Sequence, residues 1–249
     1  MLHASDVFGK IYLNNRILAS VEHGKRAFQV SGSVADNQRD GGRQLFGQGD
    51  GTVEGRGIEM NAIEAQTNAY GSHMPVLKKY LADFKPETVF EFGCGDNSTP
   101  LFIEHCKSVI SVEMQKPDWF TKMLEKHGNK PGFDLFCMMG ALAAPEYLAV
   151  QAKRYDLIFV DGFMSRWLQI NAAIGKTDVI ITHDVGQPCY HWERVVLPDG
   201  WAWIDMPSFN PWVGVVTNRV DVAEWCNQFT GVLVYKALKD KKYRGEIKC

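Results

Sequence analysis

The residues of this 249-residue chain best suited to chemistry fall where short apolar runs end. Thr88-Val-Phe-Glu91-Phe leads into Gly93-Cys94-Gly95-Asp-Asn97-Ser98-Thr-Pro100. Ser108–Val112 leads into Glu113, Tyr155–Val160 into Asp161-Gly162, and Asp178–Thr182 into His183-Asp184. Gly93 and Gly95 carry no Cβ, so the backbone there can turn sharply and approach a ligand. His183 has the titration range of a base near neutrality. Asp161 and Asp184 offer a second possibility, a shared Mg²⁺ that would acidify a substrate hydroxyl. Successive residues at a strand end point opposite ways, so His183 and Asp184 need not share a pocket.

These groups can converge only if the runs are strands of one sheet. The runs 88–92, 108–112, 133–138, 155–160 and 178–182 are short and β-rich. Between them lie stretches long enough for helices, near 100–107, 117–127, 143–153 and 165–175. Thr99-Pro100 signals a helix start, with a hydroxyl to cap free N–H groups and a preset φ for the first turn. Lys126-His-Gly128 signals a helix end. Strands alternating with helices imply right-handed βαβ units and a parallel sheet. In such sheets ligands bind beyond the carboxyl ends of the strands, which is where all the candidate groups lie. The order then changes. Gly200–Asp205 and Trp212–Thr217 are separated by too few residues for a crossover helix, so they are expected to pair antiparallel. The fold class expected is α/β: a doubly wound, mostly parallel seven-stranded sheet with a C-terminal antiparallel hairpin and an irregular N-terminal extension.

Residues 58–249 are read as one domain, and 1–57 as the extension. A short helix is expected within 1–21, and further helices at Asn61–Asn68, in the stretch ending near Phe84, and at Asp221–Phe229. Residues 22–57 hold nine glycines in 36 positions with interspersed charges. Such a stretch buries too little apolar surface to offset its ordering entropy, and it is read as a linker or mobile loop, ahead of a lid that orders over ligand or an anion cradle around Gly47–Gly51. Basic and acidic residues balance at 27 and 29, so no polyanion-binding surface is announced, and the lysine-rich stretch 236–248 is read as a solvated end. The six cysteines are scattered without a CxxC, which fits a reducing compartment. No basic-then-apolar leader and no run of membrane-spanning length is evident, so the expected location is cytoplasmic.

Glu91-Phe-Gly93-Cys94-Gly95, followed by Asp-Asn97-Ser98, resembles motif I of the class I S-adenosylmethionine-dependent methyltransferases, (Asp/Glu)-x-Gly-x-Gly. Glu113, twenty residues after Gly93, stands where that family holds the cofactor ribose, and an ionised carboxylate can accept from both ribose hydroxyls. Tyr155–Gly162 is similar to the family's fourth strand, and the terminal hairpin to its sixth and seventh. The resemblance spans roughly residues 70–217. It implies S-adenosylmethionine as cofactor, held by Glu91, Gly93, Cys94, Gly95, Asn97, Ser98 and Glu113, with Gly140 and Ala141 near the adenine. There Met138 and Met139 are read equally as ring contact or core. The activity implied is O-methylation of a small-molecule or glycan-like acceptor, with Asp161, His183 and Asp184 as base or Mg²⁺ site. Acids after the fourth and fifth strands are similar to those of metal-dependent O-methyltransferases, although Val185 stands where the catechol type has an asparagine ligand.

Two other readings are carried. A nicotinamide oxidoreductase shares the glycine loop, but its third glycine, needed for close helix–strand packing, is Ser98 here, and an acid at Glu91 is untypical of it. A non-catalytic S-adenosylmethionine-binding module is the other. Arg166 and Trp167 open the helix after Asp161 and are candidates to contact a substrate anion or ring, with a surface arginine beside a core tryptophan the favoured reading. Tyr70, His73, Tyr190 and His191 are candidates for the acceptor side. Asn210-Pro-Trp212 is read as a hairpin turn and not as the Asn-Pro-Pro-Tyr motif of amino-methylating enzymes. Partners other than the acceptor, and the oligomeric state, have no sequence signal.

Overall fold

The computed structural model describes residues 9–13, 16–21, 69–163 and 165–238. These form one ten-stranded sheet, in the order β10-β8-β9-β7-β6-β3-β4-β5-β1-β2. The expected seven strands are β3 (Thr88–Phe92), β4 (Ser108–Glu113), β5 (Phe133–Met138), β6 (Leu157–Val160), β7 (Val179–His183), β8 (Ala202–Met206) and β9 (Val213–Thr217). β5, β4, β3, β6 and β7 run parallel, while β9 pairs antiparallel with both β7 and β8. β10 (Leu233–Tyr235) adds to the outer edge of β8. At the other edge, β1 (Gly9–Leu13) and β2 (Arg16–Val21) form an antiparallel hairpin, and β1 pairs with β5. That hairpin replaces the short helix expected in 1–21. The glycine-rich stretch 22–57, the helix at Asn61–Asn68 and the basic end beyond 238 lie outside the described residues, as does the proposed domain boundary.

Strand periodicity sends alternate side chains into two separate cores. Val89, Leu157, Phe159, Val179 and Ile181 face α1 (Met74–Phe84), α2 (Ser98–His105), α3 (Pro117–His127) and α6 (Val220–Cys226). Phe90, Phe92, Ile158, Val160 and Ile180 face α4 (Ala143–Val150) and α5 (Arg166–Ala173). A sheet covered on both faces needs unbroken apolar strands, which is why β6 (LIFV) and β7 (VIITH) are buried throughout. The order reverses between β3 and β6, so the carboxyl ends of those strands open a crevice at the middle of the sheet.

Among the described residues no helix is long and apolar enough to cross a membrane. Cys94, Cys106, Cys137 and Cys226 carry free thiols.

Candidate functional site: a glycine loop and a buried charge cluster

The loop after β3 is held from beneath by Glu91. This residue is fully buried, and Ser98 Oγ donates to its Oε1 at 2.5 Å. The Thr99 hydroxyl donates to Oε2 at 2.7 Å, and Ser111, on the neighbouring strand, donates to the same oxygen. Burial raises the Glu91 carboxyl to about 7, against the pull of the three hydroxyls. Thr99 also accepts the Gly95 N–H at 2.9 Å. It therefore lies inside α2 and ties the loop to Glu91, and does not cap the helix as its position before Pro100 suggested. Glu91 positions the loop and has no free surface for a ligand.

The two glycines serve different ends. Gly93 has φ +84°, and a Cβ there would lie 2.6 Å from the Asp161 carbonyl oxygen and 2.8 Å from Gly162 Cα. Its bareness lets the loop pack on the end of β6. At Gly95 a Cβ would meet only Ser98 Oγ, at 3.8 Å, so this backbone faces open space. Cys94 is buried; its thiol donates to Glu113 Oε2 at 3.5 Å and its carbonyl accepts the Trp119 indole N–H at 2.8 Å. No sequence motif announces Trp119 in this place. Asp96 is bound to Lys122 and Lys126 on α3, and Asn97 donates to the Tyr70 carbonyl.

Glu113, only 6% exposed, ends β4 as expected. Its Oε1 accepts the backbone N–H groups of Gln115 and Lys116, at 2.7 and 2.9 Å. That commits one oxygen to the following turn, so acceptance from a ligand falls to Oε2 alone and not to both oxygens. Beside this turn a crevice is lined by Gln115, Trp119 and Lys122. Beyond β5, Met138 is fully buried in the core, which resolves its two readings in favour of packing. Gly140 has φ +99° and turns the chain, while Ala141 is exposed.

At the ends of β6 and β7 lies a second constellation. Asp184 adopts a left-handed φ of +60°, open to aspartate at little cost. This turn defeats strand alternation and brings His183 and Asp184 to the same cluster. Arg166 is no surface arginine: it lies buried at the centre, 2.9 Å from Asp161 Oδ1 and 3.0 Å from Asp184 Oδ2. It also donates to the carbonyls of Gly162 and His183 and stacks on the Tyr190 ring at 4.0 Å. Burial alone would raise the Asp161 carboxyl, but Arg166 and His183 hold it down at about 2. Asp184 Oδ1 accepts from Gln187. A guanidinium between the two carboxylates occupies the place of the expected Mg²⁺, and Val185, fully buried, supplies no third ligand. The pair Asp161–Asp184 does not fit that ion.

His183 is 4% exposed, with Nδ1 3.2 Å from Asp161 Oδ1 and Nε2 2.7 Å from Ser72 Oγ. Ser72 in turn donates to the Pro211 carbonyl at 2.8 Å, which gives the Asn210–Trp212 turn a positioning role. With both ring nitrogens engaged, His183 is not presented as a base to an acceptor. His73 packs edge-on against it, ring centroids 4.6 Å apart. Burial, then the neighbouring His183, lowers His73 to about 3. Of the remaining acceptor-side candidates, Tyr70 is 82% exposed and His191 pairs with Glu193. The member of the cluster most open to a ligand is Asp161, whose side chain is 25% exposed.

No protein-family model matches the chain, and no curated protein sequence matches it. Several solved structures align with part of the chain. An O-methyltransferase from Bacillus cereus in complex with S-adenosylhomocysteine aligns over 64% of this chain and 93% of its own, at 13% identity and TM-score 0.47. An S-adenosylhomocysteine-bound methyltransferase from Podospora anserina aligns over 64% and 82%, at 15% identity and TM-score 0.46. A putative caffeoyl-CoA O-methyltransferase from Staphylococcus aureus aligns over 58% and 81%, at 11% identity and TM-score 0.46.

Proposed function

We propose that the chain is an S-adenosylmethionine-dependent methyltransferase acting on oxygen of a small-molecule or glycan-like acceptor. The observation that carries this reading is the division of labour between the glycines. Gly93 is packed on the β6 end, Gly95 is open, and Glu113 Oε2 lies within reach of the intervening Cys94. That makes a rigid cradle with one open backbone stretch and one carboxylate oxygen, suited to the amino-acid and ribose parts of the cofactor. Ser98 supports it against a dinucleotide: its hydroxyl is spent on Glu91, where a nicotinamide fingerprint needs a bare glycine.

Bound S-adenosylmethionine supplies a methyl group already activated on sulfur, so the chain's own task is alignment and proton handling. Asp161 is ionised, fixed by Arg166 and His183, and partly open. It accepts a hydrogen bond from the acceptor hydroxyl and orients the oxygen. The hydroxyl proton grows acidic as the oxygen is alkylated, so a weakly basic carboxylate suffices to receive it. His183 positions Asp161 in this account and does not touch the acceptor.

Calorimetry with S-adenosylhomocysteine and with NADH tests the cofactor. Micromolar binding of the first, abolished by Gly95→Val, supports the reading; binding of NADH alone overturns it. Methyl transfer from labelled cofactor to a panel of phenols and sugars, lost in Asp161→Asn, separates the enzyme from a non-catalytic binding module.

A further inference from the structure

The cluster at the ends of β6 and β7 leaves one buried group without any account. Both ring nitrogens of His73 are buried and have no hydrogen-bond partner. A buried polar atom left so is destabilising, and His73 is only 2% exposed, out of reach of bulk water.

The Ser72 hydroxyl spends its one hydrogen on the Pro211 carbonyl, so the link to His183 must be made by a hydrogen on Nε2. In the neutral ring that leaves Nδ1 as a bare lone pair facing the Asp161 carboxylate at 3.2 Å. Two acceptors facing each other call for something positive between them. A proton on Nδ1 would settle His183 and Asp161 but leave His73 as it stands. A metal ion would engage one lone pair from each of the three, including one of the two unpaired His73 nitrogens.

We propose that His73, Asp161 and His183 form a binding site for a divalent transition-metal ion of the Zn²⁺ type. One ligand atom of each lies within 4.8 Å of the others, and this is the one such group among the described residues. Two imidazoles and one carboxylate suit a borderline ion and leave a position open, whereas Mg²⁺ takes all-oxygen sets. Ligands about 2.1 Å from a common ion lie about 3.4 Å apart in a tetrahedral site. His183 Nδ1 and Asp161 Oδ1 already meet that spacing, so filling the site means drawing the His73 ring inward by roughly an ångström.

Charge agrees. Asp161 and Asp184 carry two negative charges against the single positive charge of Arg166, so with neutral rings the cluster holds one uncompensated negative charge. The Nε2–Ser72–Pro211 chain is the outer support that fixes a ligating imidazole and its tautomer. The site does not depend on S-adenosylmethionine. With the ion present, the acceptor oxygen would be drawn to its open position, beside Asp161.

The test is titration of untagged, full-length, chelator-treated protein with Co²⁺, followed by visible absorption and by displacement with Zn²⁺. One Co²⁺ per chain is expected, with the intensified visible bands of a four- or five-coordinate site and at least tenfold weaker binding in His73→Gln and Asp161→Asn. A 10–100-fold loss is expected in Ser72→Ala, and a smaller loss in Asp184→Asn, which removes the surplus charge but no ligand. Far-ultraviolet dichroism confirms that each variant is folded, and Zn²⁺ should raise the melting temperature of the wild type but not of His73→Gln. No saturable binding to the wild type overturns the proposal. So does a thiolate–cobalt band in the near ultraviolet, or binding undiminished in folded His73→Gln and Asp161→Asn. Parallel calorimetry with S-adenosylhomocysteine keeps this outcome separate from the cofactor reading.

Discussion

Ser98 Oγ donates a 2.5 Å hydrogen bond to Glu91 Oε1, joining the first residue of α2 to a carboxylate buried in the middle of β3. Through this contact and its partner at Thr99, the chain converts a buried acid into a clamp on the loop above it. Replacing Ser98 by glycine, as a nicotinamide fingerprint would have it, removes a donor to a group that cannot turn to water. Ser98→Gly should lose about 1–3 kcal/mol in urea unfolding and gain no NADH affinity. A stable, NADH-binding Ser98→Gly would count against the clamp.

The same carboxylate makes a pH signature. Its folded value, about 7, lies above the unfolded 4.5. The native state therefore holds a proton that the unfolded chain releases, and the stabilisation is complete below pH 4.5 and lost as pH rises through 7. Between pH 5 and 8 the wild type should lose on the order of 2–3 kcal/mol relative to Glu91→Gln, which cannot ionise. Melting curves of both proteins across that range check it, and parallel curves would refute it.

The two glycines should separate stability from binding. Gly93→Ala meets the Asp161 carbonyl just past β6 at 2.6 Å with φ +84°, whereas Gly95→Ala meets only a hydroxyl at 3.8 Å. Gly93→Ala is expected to melt roughly 4–10 °C lower. Gly95→Ala should stay within about 2 °C of wild type yet bind S-adenosylhomocysteine at least tenfold more weakly. Equal melting temperatures for the two would contradict this placement.

Arg166 should behave as a buried hub. Arg166→Met leaves Asp161 and Asp184 unpaired and should cost about 3–5 kcal/mol. Arg166→Met combined with Asp184→Asn should recover part of that loss, as coupled neighbours do. Additive losses in the double mutant would mean the three groups are not one network.

Much of this architecture was legible from local pattern. The strands at 88–92 and 133–138 and the helix at 117–127 have the bounds their apolar runs and caps imply, and the hairpin followed from a gap too short for a helix. The charge cluster was less legible because its contacts are distant in sequence. Ser72 meets His183 across 111 residues and Pro211 across 139. Arg166 opens a helix, where an arginine ordinarily reaches solvent, and only the opposed carboxylates of Asp161 and Asp184 explain its burial. Strand alternation said nothing of Asp184, because a left-handed residue resets the direction of its side chain. The hairpin at 9–21 lacked a clear apolar period, and its pairing with β5 is what defines it.

The central claim is that the open stretch at Gly95, with Glu113 Oε2, holds S-adenosylmethionine. Isothermal titration calorimetry of S-adenosylhomocysteine against wild type, Gly95→Val and Glu113→Ala addresses it most directly. One site per chain is expected in the wild type, with no detectable binding to folded Gly95→Val and at least tenfold weaker binding to Glu113→Ala. Absence of binding to the wild type, or equal affinity in all three, would contradict the account.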